Sequence, residues 1–498
     1  MRSVLTTIPL ALTLSVLSLA YPAQWSQHPF THINRHHAPV TETEGYARFD
    51  EDKVFRVEIS SVAELKRLEE TIEAHNFDLW SNLRIGTVDV RVPAESVETF
   101  QSLVHMPTTV MIPNVQDLVP DQTQLLRTKA QGQWNYTDDS FWANYHDLAT
   151  LNNFTETMIA EYPDLVTRVS MGHTFEGREV FGMSIHGGHK RSELAKEDED
   201  KEDEEMDLEE TVESWWSWLF RSTKKSKHNM KADHKKNKNK KKKAIVIHGG
   251  QHAREWIGPA VVSYIAKELI TGYGHHKKIT RLIDQFEFVV VPVLNADGYE
   301  YTWTTNRMWR KNRQPTSIPF CKGIDPNRNW GFMWNHGGSS NNPCSDGYHG
   351  PEAFAALEPK MMADYITEKG NVVSYIDFHA YSQLWMSPFG ADCDKTPKDD
   401  EDIIEAAMGA AKALKDVHGT KFAVGSVCNI IYQASGGSLD WTYGEAGVKY
   451  SYAVELRDTG KHGFLLPEDQ ILPSAEETYA GFQHLVNFIR KREKQWRW

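Results

Sequence analysis

The sequence predicts an α/β protein, a large domain with a central sheet flanked by helices, preceded by a small α+β unit of ferredoxin-like outline. Two patterns predict it. From about Phe141 onward, the apolar, β-branched runs Ala244–His248, Phe286–Val293, Val372–Phe378 and Tyr450–Val454 read as buried strands. Val261–Ile270, Glu401–Leu414 and Ala475–Arg490 carry helical spacing between them. Upstream, residues 46–118 alternate on a smaller scale, in the order β-α-(β)-β-α-β.

The elements of that small unit follow one another closely. In the first strand Val54, Arg56 and Glu58 alternate with Phe55, Val57 and Ile59. Ser61 and Glu64 form a capping-box signature ahead of Leu65, Leu68 and Ile72. Thr87–Val92 alternates as a strand, Pro93 opens a second helix through Val97, Phe100 and Val104, and Thr109–Ile112 closes with another strand. No Cys, His or carboxylate cluster in it is placed for chemistry. A chaperoning or inhibitory role suits it better than catalysis.

The flanking segments have their own character. Arg2 precedes an apolar run, Val4–Leu19, and Ser18 and Ala20 give the small −3/−1 pattern of a signal peptide over residues 1–20. Export follows, with cysteines free to oxidise. Residues 21–45 form a His- and Pro-rich leader. Residues 119–137 form a polar linker whose Arg127 and Lys129 suit proteolytic activation. The large domain occupies 138–498 and carries an insertion at 190–243, with an acidic block (Glu197–Glu210), an aromatic one (Trp215–Phe220) and a Lys block (Lys235–Lys243). That insertion reads as a solvated loop, or as a tether to an anionic wall or membrane.

Composition narrows the class. Of 498 residues, 40% are hydrophobic and 16 are Trp, enough for a large core and incompatible with a chain disordered throughout. The net charge of −13 argues against nucleic acid as a partner. No apolar run after residue 20 spans a membrane. Four Cys in so long a chain suggest two bridges on a self-sufficient core. Asn135-Tyr-Thr and Asn153-Phe-Thr are glycosylation sequons in an exported chain.

The chemistry concentrates in His248-Gly-Gly-Gln-His252-Ala-Arg-Glu255-Trp256, where a strand ends in two glycines and a helix follows. His252 and Glu255, three apart, can converge on one Zn²⁺, and His379, at another strand end, is a candidate third ligand. Three protein ligands leave a coordination position open, as catalytic zinc requires.

These residues, with Asn306–Lys311 (NRMWRK), Asp325–Trp330 (DPNRNW), Tyr432–Ser438 (YQASGGS) and Glu455–Gly460 (ELRDTG), resemble the zinc carboxypeptidases of the A/B type, from about Phe141 to Arg490. The upstream unit looks like that family's activation propeptide. The resemblance implies a mixed central sheet, one Zn²⁺ and a secreted zymogen acting on peptide or protein C-termini after cleavage by an activating protease. A monomer is expected, exported as the signal peptide directs, with diversion to a vacuole left open.

Residue by residue, it implies Glu455 as general base, Arg310 as oxyanion stabiliser and Asp325 as the carboxylate orienting His252. A similar fungal branch, considered inactive, carries Lys where this chain has Glu455. Asn327, Arg328 and Tyr432 would hold the substrate carboxylate, and Arg254 and Tyr381 would line the outer path. Leu439 stands where basic-specific enzymes carry Asp. Met386, Gly390, Val427, Ala434, Gly437 and Ala453 leave the pocket uncharged, so aromatic or large aliphatic C-terminal residues are expected. Cys321 and Cys344 match the family's usual disulfide, and Cys393 and Cys428 match positions bridged in some relatives. The rival expectation is a catalytically silent, zinc-holding pseudopeptidase with a peptide-binding or cell-wall role.

Overall fold

The computed structural model describes residues 46–81, 83–119, 134–136, 138–187 and 241–495. The expected signal peptide and leader, most of the linker and nearly all of the charged insertion lie outside the described residues.

In the N-terminal unit, β1 (Lys53–Ile59), β2 (Asp78–Leu79), β3 (Gly86–Val92) and β4 (Thr108–Ile112) form one antiparallel sheet in the order β2-β3-β1-β4. Strand alternation gives this sheet two apolar faces. Phe55, Val57 and Ile59 pack with Leu68 and Ile72 of the helix Val62–His75 and with Phe100 of the helix Val97–Leu103. Val54, of opposite parity, joins Trp80, Ile112 and Val115 in the core of the large domain. The unit is therefore a wedge with a private core and a second, shared one.

Local signals set its helix ends. Ser61 Oγ accepts the Glu64 backbone N–H at 3.3 Å, while the Glu64 carboxylate reaches past it to the Ser60 backbone N–H at 2.7 Å. The segment after Pro93 differs from the expected single helix. It opens with a 3₁₀ turn, Ala94–Ser96, before the α-helix begins at Val97.

The large domain is built on β5 (Val166–His173), β6 (Glu179–Ile185), β7 (Lys243–Gly249), β8 (Phe286–Val291), β9 (Val372–His379), β10 (Leu384–Ser387), β11 (Ala423–Ser426) and β12 (Tyr450–Glu455). They form one mixed sheet in the order β11-β10-β12-β9-β7-β8-β6-β5. The central four, β12, β9, β7 and β8, run parallel, and they are the continuous apolar runs of the sequence. β6 and β5 extend one side antiparallel, and β10 turns antiparallel on the other. Helices Ile257–Gly272, Asp400–His418 and Ile471–Gln495 bury their apolar residues against the sheet.

The outer strands were not singled out in the sequence because their patterns are weak. β5 leaves Thr167, Arg168 and Ser170 exposed, and β10 and β11 are four residues each. The insertion departs between β6 and β7. At its base Lys242 Nζ donates to the carbonyls of Gly187 (2.9 Å) and Ile283 (3.2 Å), closing the described ends onto the domain. Among the described residues, no helix is long and apolar enough to cross a membrane.

Candidate metal centre and cleft

Sheet topology assembles the centre. β7, β9 and β12 are adjacent and parallel, so their C-terminal ends share one edge of the sheet. β7 runs into the turn carrying His252 and Glu255, β9 ends at His379, and β12 ends at Glu455, in register with His379. The turn is tight. Gly250 adopts φ +63°, and a Cβ on Gly249 would meet the Gly258 backbone at 2.7 Å. His252 and Glu255 lie in this turn rather than in the helix, which begins only at Ile257.

The three side chains converge and are buried. Glu255 Oε1 lies 2.9 Å from His252 Nδ1, Glu255 Oε2 lies 2.9 Å from His379 Nδ1, and the two Nδ1 atoms are 3.1 Å apart. Two imidazole lone pairs and a carboxylate aimed at one point form a donor set that fits Zn²⁺. Burial alone would raise the Glu255 carboxyl, but the flanking imidazoles of His252 and His379 outweigh it and hold it well below the usual range.

Around this set lie the other residues singled out in the sequence. Asp325 Oδ1 accepts from His252 Nε2 at 3.0 Å, and Oδ2 accepts from Arg310 Nη2 at 2.9 Å. Arg310 Nη1 is 3.7 Å from Glu255 Oε1. Burial works against the Asp325 charge, yet Arg310 and His252 keep it ionised. Glu455 has the opposite balance. Burial first, and then the negative charge of Glu255, pushes its carboxyl up to about 8, and its Oε2 has no hydrogen-bond partner among the described residues.

The cleft beyond divides in two. Arg328 Nη2 donates to Tyr432 Oη at 2.8 Å, and Asn327 Oδ1 accepts the Ser438 backbone N–H at 2.9 Å. Leu439 and Ala453 sit in an apolar cluster with Leu384 and Met386, against which Val427, Ile430 and Ile431 pack. Asp440 turns away from this cluster and accepts the backbone N–H groups of Gly390 and Ala391 at 3.0 and 2.7 Å. The structure pairs Cys321 with Cys344 and Cys393 with Cys428. Asn153 bonds Tyr136 Oη, and Asn135 is exposed beside Tyr136.

On the other side the N-terminal unit occupies the cleft. Asp78 Oδ1 accepts from Arg254 Nη1 at 2.8 Å, and the Leu79 carbonyl accepts from Arg254 Nη2 at 3.1 Å. Asp89 Oδ2 accepts from Tyr381 Oη at 3.0 Å, and Arg56 donates to the Thr459 carbonyl at 2.7 Å. Trp80 meets Phe464 edge-on, with ring centroids 5.3 Å apart. Sequence reasoning did not single out Asp78 or Asp89, because their partners belong to another domain. It also passed over Asp377, whose position two residues before His379 on one strand face was the available signal.

A fold of this kind with a buried His-Glu-His set defines a metallopeptidase class, and comparison with known proteins makes the family explicit. The zinc carboxypeptidase family model matches residues 151–481, and the carboxypeptidase activation peptide model matches residues 55–122. The chain belongs to the zinc carboxypeptidase family and carries its activation propeptide. It is 36% identical to carboxypeptidase A2 of Mus musculus, covering 84% of this chain and 89% of that protein. It is 40% identical to carboxypeptidase B of Astacus astacus, over 70% and 98%. An inactive metallocarboxypeptidase of Ajellomyces dermatitidis is 32% identical, over 89% and 73%. Among solved structures, thrombin activatable fibrinolysis inhibitor superposes with a TM-score of 0.72 at 27% identity, over 89% of this chain and 100% of that one.

Proposed function

We propose that the protein is a secreted, monomeric zinc exopeptidase, made as a zymogen, that releases single apolar or aromatic residues from peptide C-termini. The observation that carries this reading is Glu455, a half-buried residue whose Oε2 is buried and has no hydrogen-bond partner among the described residues, in register with His379 at the edge where the His252–Glu255–His379 set converges. One Zn²⁺ held by those three residues would polarise the scissile carbonyl and make water a stronger acid. Glu455 takes the proton of the attacking water and returns it to the leaving amine. Arg310, anchored on Asp325, supplies fixed positive charge for the developing oxyanion. Asn327, Arg328 and Tyr432 bind the terminal carboxylate.

Specificity follows from the pocket. The cluster of Leu384, Met386, Leu439 and Ala453 offers a cationic side chain no counter-charge, so burying one there costs several kcal/mol. Leu439→Asp should move the preference from Phe toward Arg, measured as the ratio of kcat/KM values. In the uncut chain Asp78 and Asp89 hold Arg254 and Tyr381, and cleavage in the 119–137 linker releases them.

The similarity to an inactive fungal relative favours a second reading, a zinc-holding pseudopeptidase. One experiment separates the two. Paired peptides ending in Phe or Arg are incubated with the chain before and after limited trypsin, with and without a zinc chelator. Chelator-sensitive release of Phe appearing only after trypsin supports the zymogen, the metal and the pocket together. No release of either residue by folded, zinc-loaded, cleaved protein establishes the pseudopeptidase reading.

A further inference from the structure

Behind the candidate ligands lies a carboxylate that the reaction outlined above does not use. Asp377 is fully buried on β9 and shares a strand face with His379. Its Oδ2 lies 2.9 Å from His379 Nε2 and accepts hydrogen bonds from Ser438 Oγ and Gln251 Nε2, both at 2.7 Å. Its Oδ1 faces His248 Nδ1 at 3.5 Å, and His248 Nε2 contacts Tyr375 Oη at 2.5 Å. Asn327 Nδ2 also approaches His379 Nε2, at 3.2 Å.

A fully buried carboxylate is costly to keep and is often replaceable by an apolar side chain where packing is its only task. This one sits where its acceptor-only chemistry has a consequence. The negative charge of Asp377 beside Nε2 favours the tautomer with the hydrogen of His379 on that side, which leaves the Nδ1 lone pair facing Glu255 and His252. Asp325 does the same for His252, at 3.0 Å from Nε2. Each imidazole thus aims Nδ1 at the common point and is backed on Nε2 by its own buried carboxylate. Ser438 and Gln251 in turn fix the Asp377 oxygen, one from the helix that carries Leu439 and the other from the turn that carries His252.

We infer that Asp377 is a positioning residue of the metal centre, holding His379 in the tautomer and orientation that present Nδ1 to the cation and tying that ligand to the wall of the specificity pocket. The inference rests on reading His252, Glu255 and His379 as metal ligands. The test uses the full chain, stripped with a chelator and titrated with Zn²⁺ against a chromophoric competitor, alongside Asp377→Ala and Asp377→Asn. Loss of a carboxylate that backs a ligating imidazole typically weakens metal binding about 10–100-fold, which is the effect expected for Asp377→Ala.

Asp377→Asn keeps a neutral acceptor at the Oδ2 position and should recover most of that loss, remaining roughly threefold or more below the parent by the same reasoning. Thermal unfolding of the metal-free proteins shows which variants are folded. Should Asp377→Ala not fold, the Asn variant decides alone. Zinc affinity in a folded Asn variant within about twofold of the parent overturns the inference while leaving the ligand reading intact. A parent chain that binds no zinc overturns both.

Discussion

Asp78 in the N-terminal unit and Asp325 in the large domain are both buried, and each neutralises an arginine of the cleft. They do so under opposite constraints. Asp325 is a permanent part of the centre, accepting from Arg310 and from the Nε2 side of His252 within one domain. Asp78 must be able to leave. It accepts from Arg254 across the domain boundary and, through Oδ2, from Arg91 Nε within its own unit at 2.9 Å. Arg254 lies 3.5 Å from Asp346 of its own domain. When the two domains part, each charge therefore retains a counter-charge at home. A lid built this way closes with a buried ion pair yet strands no bare charge on opening, which is the costly outcome for buried pairs.

The largest effect should come from the carboxylate proposed to take the proton of water. Glu455→Gln is expected to lower turnover of the cleaved protein about 10²–10⁴-fold. Zinc content and the pattern of tryptic release should not change, since the contacts described between the N-terminal unit and the large domain run through Arg254, Tyr381, Thr459 and Phe464. Substantial turnover in that variant would remove Glu455 from its assigned role.

Next in size, Asp325→Ala leaves the buried Arg310 with Glu255, 3.7 Å away, in place of its hydrogen-bonded carboxylate, and should destabilise the metal-free chain by about 3–5 kcal/mol in urea unfolding. A loss below 1 kcal/mol would place Asp325 in the same dispensable class as a surface ion pair.

Glu358 supplies the contrasting case, a buried carboxyl without a cation. It accepts from Asn312 Nδ2, at 2.7 Å, and burial pushes it up to about 7. Because the folded-state value is raised, the native chain binds the extra proton between about pH 4.5 and 7, so stability falls as pH rises through that window and levels off above it. Glu358→Gln should flatten this slope, removing about 3 kcal/mol of pH dependence between pH 4.5 and 8. An unchanged slope would mean that Glu358 finds a counter-charge in solution.

The smallest effect belongs to the removable pair. Asp78→Ala deletes the charged hydrogen bond of about 1.5–3 kcal/mol that Asp78 makes across the domain boundary, while Arg254 keeps Leu79 and Asp346; the bonds lost from Arg91 and Trp80 lie within the N-terminal unit. The uncut chain should then open about 10–100-fold more often, read as faster amide exchange around Trp80 and as measurable peptide hydrolysis without trypsin. Exchange identical to the parent would show that the apolar contacts of Trp80, Val54 and Ile112 hold the lid unaided.

Much of the frame was legible in the residues. The four central strands announce themselves because a strand buried on both faces must be apolar throughout, and Ser61 marks its helix start through its own side chain. The outer strands escaped because half-exposed or four-residue segments carry too little pattern. The insertion was recognisable by charge alone, and in the described chain it falls between β6 and β7. The helix after Pro93 was anticipated, but its 3₁₀ entry was not, since nothing in residue type separates the two first turns.

At the candidate site the division is sharper. His252 and Glu255 are readable because three residues within one turn suffice to bring them together, and the uncharged pocket around Leu439 is readable because it depends on residue type. Those features the sequence determined by itself. That Asp377 backs His379, that Glu455 stands in register with it, and that Asp78 finds Arg254 were decided only by the tertiary structure. The physical reason is that hydrogen bonds and ion pairs act over a few ångströms. Which distant segments come that close is set by the order of strands in the sheet and by the docking of one domain on another, and a local run of residues carries no signal for either.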